Sequence, residues 1–429
     1  MTAPRRSVVI VDGVRTPFCK AWGVLEDVPA DDLQRSALAE AMARVDLDPQ
    51  EVDEVVVGNI AQPADTTTLA RVAALRAGVP ARVPAVTVNR NCGSGLEAIT
   101  AAWQRIDSGQ EEVVLAGGVE SMSRIPFQLS QGFTRRVMTL RKARSLPQRA
   151  AALWGFGRRD LTPRSALEVG LRDAWSGLNM GETAEVLARR YQIGRDEQDA
   201  YALESHRRAV AGRARLREEI APFFPPPGYQ AVRDDVGPRE DQSMEALARL
   251  KPVFDRRYGT VTAGNSSMLT DGAAAVVVAS EEKARALGTP YLGRLRAFAF
   301  AGLEPELMGL GPVYAARLAL ERAGVSMADI QLVEINEAFA AQVLAVLRAF
   351  ASESFGRQEL NLPGALGAIN PERLNVNGGA IALGHPVGGT GVRLVLTLLK
   401  EMARRDLTLG LAALCIGGGQ GAAIVVERS

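Results

Sequence analysis

What most narrows the possible folds of this chain is a pattern written twice. Residues 86–99, VTVNRNCGSGLEAI, run from an apolar strand-like stretch through an Asn-containing, glycine-rich turn into a helix, and residues 374–391, LNVNGGAIALGHPVGGTG, repeat that order. Around the first copy, the β-branched runs SVVIVDGVRTPF, EVDEVVVGNI and EEVVLAGGVES alternate with helical spacing in DDLQRSALAEAMARVDL and CGSGLEAITAAWQRIDSG, where Leu96, Ile99, Trp103 and Ile106 share a face. Alternation of this kind predicts a mostly parallel sheet covered by helices. YLGRLRAFAFAG, DIQLVEINEAFAAQVLAVLRAF and LGLAALCIGGGQGAAIVVERS repeat the grammar around the second copy. Two similar halves are expected to form one five-layered αβαβα body, a duplication legible in the order of elements more than in identity.

The sheet texture is interrupted from about residue 128 to 250. There RDEQDAYALESHRRAVAGRARLREE predicts a highly charged helix, with His206 exposed or capping, and PFFPPPGYQ predicts turns. The expected organisation of the 429 residues is an N-terminal domain of 1–127 plus 251–285, a mainly helical insertion of 128–250, and a C-terminal domain of 286–429. Residues 124–164 hold nine arginines and a lysine against one acid, Asp160, with Leu153, Trp154 and Phe156 interleaved. Three readings of that segment stay open: a solvated arginine-rich surface, counter-charge for phosphates, and weak contact with an anionic membrane surface or a protein partner.

A net charge of +1 offers no overall case for nucleic-acid binding or membrane steering, and no nucleic-acid partner is expected. Cys19, Cys92 and Cys415 are too few and too scattered for a disulfide framework or a zinc site. No metal is expected, and a reducing cytoplasm is the expected location. The first residues reach a strand-like run by Val8 without the longer apolar core of a secretory signal, and no stretch approaches the 18 apolar residues of a membrane span.

Glycine-rich turns raise the question of nucleotide binding. GHPVGGTG lacks the Lys-Ser/Thr pair of a phosphate-cradling loop, and GGGQG runs into another strand, AAIVVE, so no helix N-terminus follows it. Cys92 is open to two readings, a small buried hydrophobe or a nucleophile. A cysteine just before a helix feels its partial positive charge, which favours thiolate, and Gly93 and Gly95 leave room for a substrate. His385, held between Gly384 and Pro386, is suited to activating a thiol. Cys415, between an apolar strand and a glycine turn, is either a core residue or a second thiol in the same cleft. Asn336, after the strand IQLVEI, is either a helix cap or a polar group of the site.

Taken together these stretches resemble the thiolase family: VNRNCGSGLEAI its nucleophile motif, NVNGGAIALGHPVGGTG its histidine motif, LAALCIGGGQGAA its C-terminal cysteine motif and NEAF its asparagine motif. YGTVTAGNSSMLTDGAAA and MGETAE are similar to segments flanking the family's coenzyme A site. The resemblance implies a duplicated α/β thiolase fold with an inserted loop domain, and acyl-CoA and CoA as substrates with no permanently bound cofactor. It implies that Cys92 carries the acyl group, that His385 deprotonates it, and that Cys415 is the second acid/base. Asn336 would hold a water that forms one oxyanion site with His385, and the backbone N–H groups of Cys92 and Gly417 would form the other. Ser267 and Met180 match positions near the pantetheine. The implied reaction is thiolysis of a 3-ketoacyl-CoA, or the reverse Claisen condensation, by a ping-pong route.

In texture the chain is similar to the thiolase subunits of fatty-acid-oxidation complexes, which implies a hydratase/dehydrogenase partner; several such subunits carry His at the position of Asn336, which leaves a stand-alone acetyl-CoA acetyltransferase as the alternative. The family implies a homodimer or homotetramer. Cys415 argues against a β-ketoacyl synthase, and the four intact motif residues argue against an inactive CoA-binding scaffold.

Overall fold

The computed structural model describes residues 6–428. Its strands are β1 (Val8–Arg15), β2 (Cys19–Lys20), β3 (Glu54–Gly58), β4 (Ala85–Val88), β5 (Val113–Ser121), β6 (Phe127–Gln128), β7 (Arg164–Ser165), β8 (Thr270–Ser280), β9 (Gly293–Gly302), β10 (Leu332–Ile335), β11 (Leu409–Ile416) and β12 (Gln420–Glu427). All but the β6–β7 pair join one sheet in the order β10-β11-β12-β9-β1-β8-β5-β3-β4, with β2 added on β8. The buried strands are near-continuous apolar runs, such as VVLAGGVES in β5, because helices cover both faces.

Three apolar cores separate five layers. Helices α1 (Ala30–Arg44) and α2 (Leu69–Arg76) cover the outside of the β3–β5–β8 half. Helix α3 (Ser94–Asp107) and the helix Val387–Arg405 lie in the middle, where Leu96, Ile99 and Leu396 pack with Val114 of one half of the sheet and Leu414 and Ile424 of the other. Helices Gly311–Ala323 and Ala340–Ala351 cover the outside of the C-terminal half. The five-layered α/β architecture is therefore as expected, with the halves joined where β1 pairs with β9 through Val9↔Arg294 and Ile10↔Gly293.

The strand directions differ from expectation. Only β3·β4, β3·β5 and β10·β11 are parallel, whereas β1·β8, β1·β9, β2·β8, β5·β8, β9·β12 and β11·β12 are antiparallel. A single crossover helix enforces a parallel return. The chain between β5 and β8 is far longer than one crossover, and it brings β8 back in the opposite direction. The glycine turn Gly417–Gly419 simply folds β11 onto β12 as a hairpin. A second correction concerns residues 374–378, which form no strand: Leu374 makes a single bridge to Val333, and Asn375, at φ +46°, hydrogen-bonds Ile335 through its side chain instead.

The segment 128–250 is mainly helices and loops. Its first helices, α4 (Gln131–Lys142) and α5 (Leu146–Trp154), bury almost nothing; Trp154 is 92% and Leu146 80% exposed. His206, expected at the surface or at a cap, is buried on the helix Arg195–Ala211. That helix packs on several sides, with Ala202 and Leu203 against Leu247 and Ile381, and Ala209 against Leu216 and Leu383, so its charged residues do not mark one free face. Burial, followed by the charge of Arg239, pushes the His206 pKa down to about 4, and Nδ1 accepts from the Arg239 N–H (3.3 Å).

Candidate functional site

The site is assembled at the facing starts of the two central helices, where glycine permits contact between backbones. A methyl group at Gly95 would come within 2.7 Å of Gly388 O, and one at Gly391 would collide with the Leu96 amide. Cys92 lies three residues before Gly95 and His385 three residues before Gly388, so this close crossing brings their turns together. Among the described residues no hydrogen bond joins Cys92 to His385; the approach rests on the helix starts.

Cys92 is half-buried in the turn between β4 and α3. Its neighbour Asn91, at φ +46°, donates from Nδ2 to Gly417 O (2.8 Å), tying the turn to the β11–β12 hairpin. Burial raises the Cys92 pKa above the usual thiol value, with a smaller push from Glu120, while the N–H groups of Gly417 and of Cys92 itself face the sulfur and pull the pKa back. The helix start alone would favour thiolate, but desolvation outweighs it, so the resting group is a thiol.

Cys415, at the end of β11, is buried. Burial first and the Cys92 sulfur second push its pKa well above the usual thiol range, so the two sulfurs share one electrostatic neighbourhood. Cys415 belongs to a small apolar cluster with Met308, Ala338 and Phe339, against which Met180 packs. Met180 also lies over the hairpin, its Sδ within 3.1 Å of where a Cβ on Gly417 would be. Ser267 donates its N–H to Ala338 O (2.9 Å) and stands two residues from Leu269, which bridges to His385.

Asn336 is not a helix cap: the following helix begins at Ala340, with Phe339 in the capping position. Asn336 is fully buried, and its Nδ2 approaches His385 Nε2 at 3.4 Å, while its Oδ1 has no protein partner. The His385 ring is held from the other side by Thr390, with Nδ1 2.6 Å from Oγ1. The Thr390 hydroxyl donates to Pro386 O (3.3 Å), so it accepts from Nδ1–H and leaves Nε2 as an unprotonated acceptor. Burial, then the charge of Arg393, pushes the His385 pKa down to about 3, so the imidazole is neutral at physiological pH.

Two supporting residues escaped the motif reading. Thr390 was visible as a hydroxyl in GHPVGGTG, five residues after the histidine. Glu120, at the end of β5, accepts from Ile60 N–H (3.2 Å), Ala61 N–H (2.9 Å), Asn59 Nδ2 (3.0 Å) and Gly388 N–H (3.2 Å), and thus ties the end of β3 to the start of the histidine helix. Burial raises its pKa to about 7. No local signal distinguished it from other acids at strand ends. Among the described residues, no group of three or more His, Cys, Asp or Glu is placed to hold a metal ion, and no helix is long and apolar enough to cross a membrane.

Comparison with known proteins places the chain as a whole among thiolases. The family model described as thiolase, N-terminal domain, matches residues 8–282, and that of thiolase, C-terminal domain, matches 289–428. A 3-ketoacyl-CoA thiolase of Yersinia enterocolitica is 41% identical over 423 residues, covering 98% of this chain and 96% of that one. The crystal structure of the Bacillus anthracis acetyl-CoA acetyltransferase superposes with a TM-score of 0.85 at 39% identity, covering 99% of each chain. Human mitochondrial 3-ketoacyl-CoA thiolase in complex with CoA superposes with a TM-score of 0.85 at 38% identity, over 99% of this chain and 98% of that one.

Proposed function

The chain belongs to the thiolase family, and from that premise we propose that it is an acyl-CoA C-acyltransferase that cleaves 3-ketoacyl-CoA with CoA to acetyl-CoA and a shortened acyl-CoA. The observation that carries this is the seat of one thiol beside the end of the other's strand: Asn91 Nδ2 donates to Gly417 O (2.8 Å), two residues beyond Cys415, and the Cys92 sulfur faces two backbone N–H groups. His385 Nε2 takes the Cys92 proton as the sulfur attacks the keto carbon of the substrate. Because thiol and imidazole both rest uncharged, the proton moves with the attack rather than before it.

The bond between the α- and keto carbons then breaks, leaving the acyl group on Cys92 and an acetyl-CoA enolate. The enolate oxygen is stabilised by His385 and by a water on Asn336, whose unpaired buried Oδ1 is available to accept from it. Cys415 gives its proton to the α-carbon, and acetyl-CoA leaves. The Cys415 thiolate next takes the proton of an incoming CoA thiol, whose sulfur attacks the acyl-enzyme. The resulting oxyanion is held by the N–H groups of Cys92 and Gly417, and its collapse frees the acyl-CoA and returns the proton from His385 to Cys92. In this reading Met180, which lies over Gly417, and Ser267, whose N–H meets Ala338 O, line the approach of the pantetheine arm.

The test is a chain-length series of 3-ketoacyl-CoAs offered with free CoA. Acetyl-CoA and the shortened acyl-CoA are expected with parallel-line, ping-pong kinetics; no thiolysis at any length would remove the proposal. A maximum at acetoacetyl-CoA alone would favour the acetyl-CoA acetyltransferase role.

We also propose that the segment 124–164 makes weak contact with an anionic bilayer. Phe127, Leu146, Leu153 and Trp154 are more than half exposed among its arginines, which suits interfacial insertion aided by charge. In flotation at low salt, part of the protein should rise with phosphatidylserine vesicles and sink again at high salt. Protein left entirely in the soluble fraction at low salt would reject the contact.

A further inference from the structure

A buried carboxylate lies one residue beyond Asn336 and takes no part in the proposed steps. Glu337 is almost fully buried, and each of its oxygens accepts from two groups on other elements. Oε1 accepts from the Tyr201 hydroxyl (3.0 Å) and Asn375 Nδ2 (2.9 Å); Oε2 accepts from Ser205 Oγ (2.7 Å) and the Ile381 N–H (3.2 Å). Tyr201 and Ser205 stand on the helix Arg195–Ala211 of the inserted segment. Asn375 and Ile381 belong to the stretch of chain that leads into His385. Ser205 Oγ also accepts from the Gly379 N–H (3.1 Å), and a side chain at Gly379 would collide with the Glu337 carboxylate.

These contacts pin the histidine segment at both ends of its approach. Asn375 accepts from the Ile335 N–H (2.8 Å) and donates to Ile335 O (2.9 Å), fixing the segment to the end of β10, immediately before Asn336. The Ile381 amide, held by Glu337, lies four residues before His385, whose ring meets Asn336 Nδ2. A neutral amide cannot replace the carboxylate: Ile381 N–H is a fixed donor, and flipping Asn375 to offer an acceptor would break its pairing with Ile335. A glutamine NH2 would therefore face a donor on either side.

We infer that Glu337 is a positioning residue for the Asn336–His385 pair, and that the insertion helix sets that geometry through Tyr201 and Ser205. The inference rests on the roles proposed above for Asn336 and His385. Neither Tyr201 nor Ser205 hydrogen-bonds either residue directly, so any effect on turnover must pass through Glu337 or through the histidine segment, which Tyr201 also meets at Asn375 Nδ2 (3.4 Å) and Ser205 at the Gly379 N–H.

The experiment is a double-mutant cycle on thiolysis with Tyr201→Phe, Asn336→Ala and their combination, with melting temperatures measured in parallel. Tyr201→Phe removes the hydroxyl that donates to Glu337 and, at 3.4 Å, accepts from Asn375 Nδ2, and should lower kcat about fivefold, with KM changed by less than about twofold. Asn336→Ala should lower kcat about 100-fold. In the Asn336→Ala background, Tyr201→Phe should lower kcat by less than about twofold, because the pair it positions is already broken. If Tyr201→Phe fails to fold, Ser205→Ala is expected to follow the same pattern. Losses that multiply, or a Tyr201→Phe enzyme with a lowered melting temperature and unchanged kcat, would show a merely structural contact and overturn the inference. Asn336→Ala with wild-type kcat would instead overturn the site assignment on which it rests.

Discussion

Replacing Cys92 by alanine is expected to abolish acyl-enzyme formation and to lower kcat by about 10⁴-fold or more, because it removes the proposed carrier of the acyl group. Cys415, the other thiol of the site, is fully enclosed at the end of β11 and lacks the pair of backbone N–H groups that faces Cys92. Rapid quench with a radiolabelled acyl-CoA checks the result: label should bind wild type stoichiometrically and the variant not at all. Undiminished labelling of Cys92→Ala would end the nucleophile assignment. The fold should survive, since the turn is held by Asn91 to Gly417 and by the Ser94 hydroxyl, which donates to Asn91 O (2.7 Å), rather than by the thiol.

The pH dependence of acylation follows from the same groups. His385 has a folded-state pKa depressed to about 3, so it remains a competent base as pH falls through 6.5, where an exposed imidazole would be lost. The Cys92 thiol is shifted upward, so it too stays protonated across that range. The acid limb of kcat/KM for the acylation half-reaction is therefore expected to show no imidazole inflection near 6.5. A clear inflection there would contradict a resting neutral His385 enclosed by Thr390 and Asn336.

Replacing Cys415 by serine should separate the two half-reactions. Cys92 still has its base and its N–H donors, and a CoA thiolate can leave without prior protonation, so acyl transfer from a simple acyl-CoA is expected to proceed. Proton transfer at the α-carbon needs an acid that a hydroxyl does not provide at neutral pH, and overall turnover should fall by about 10²- to 10⁴-fold. Exchange of the α-protons of acetyl-CoA with deuterated solvent, followed by NMR, reads this step alone. It should stop in Cys415→Ser and persist in wild type, and near-normal turnover or exchange in the variant would remove Cys415 from the mechanism. Serine is close in volume to cysteine, so the packing with Met308 and Phe339 should hold, at a cost of about 1–3 kcal/mol for a hydroxyl buried in that apolar cluster.

The motif residues were legible because each is marked by its immediate neighbours: Cys92 by glycines and a helix start, His385 by Gly384 and Pro386, Cys415 by a strand followed by GGG. Strand directions were not legible. Alternation of strand and helix specifies a parallel return only across a single crossover, and nothing local in β5 shows that it meets β8 in the opposite direction. His206 was misjudged for a related reason. Its helix carries Gln198, Asp199 and Ser205 among its buried residues, so polar composition does not mark the solvent side. Those polar groups are spent on partners distant in sequence, as Ser205 is on Glu337.

By itself, the amino-acid sequence determined the kinds of chemical group present and the local turns that present them: a thiol before a helix, an imidazole in a glycine turn, a second thiol before a hairpin. Only the tertiary structure decided what those groups are. The crossing of the two central helices brings the turns of Cys92 and His385 together, burial leaves both uncharged, and Thr390 sets which imidazole nitrogen is free. Protonation state and tautomer depend on desolvation and on partners contributed by distant segments, and neither is encoded in the few residues around a motif.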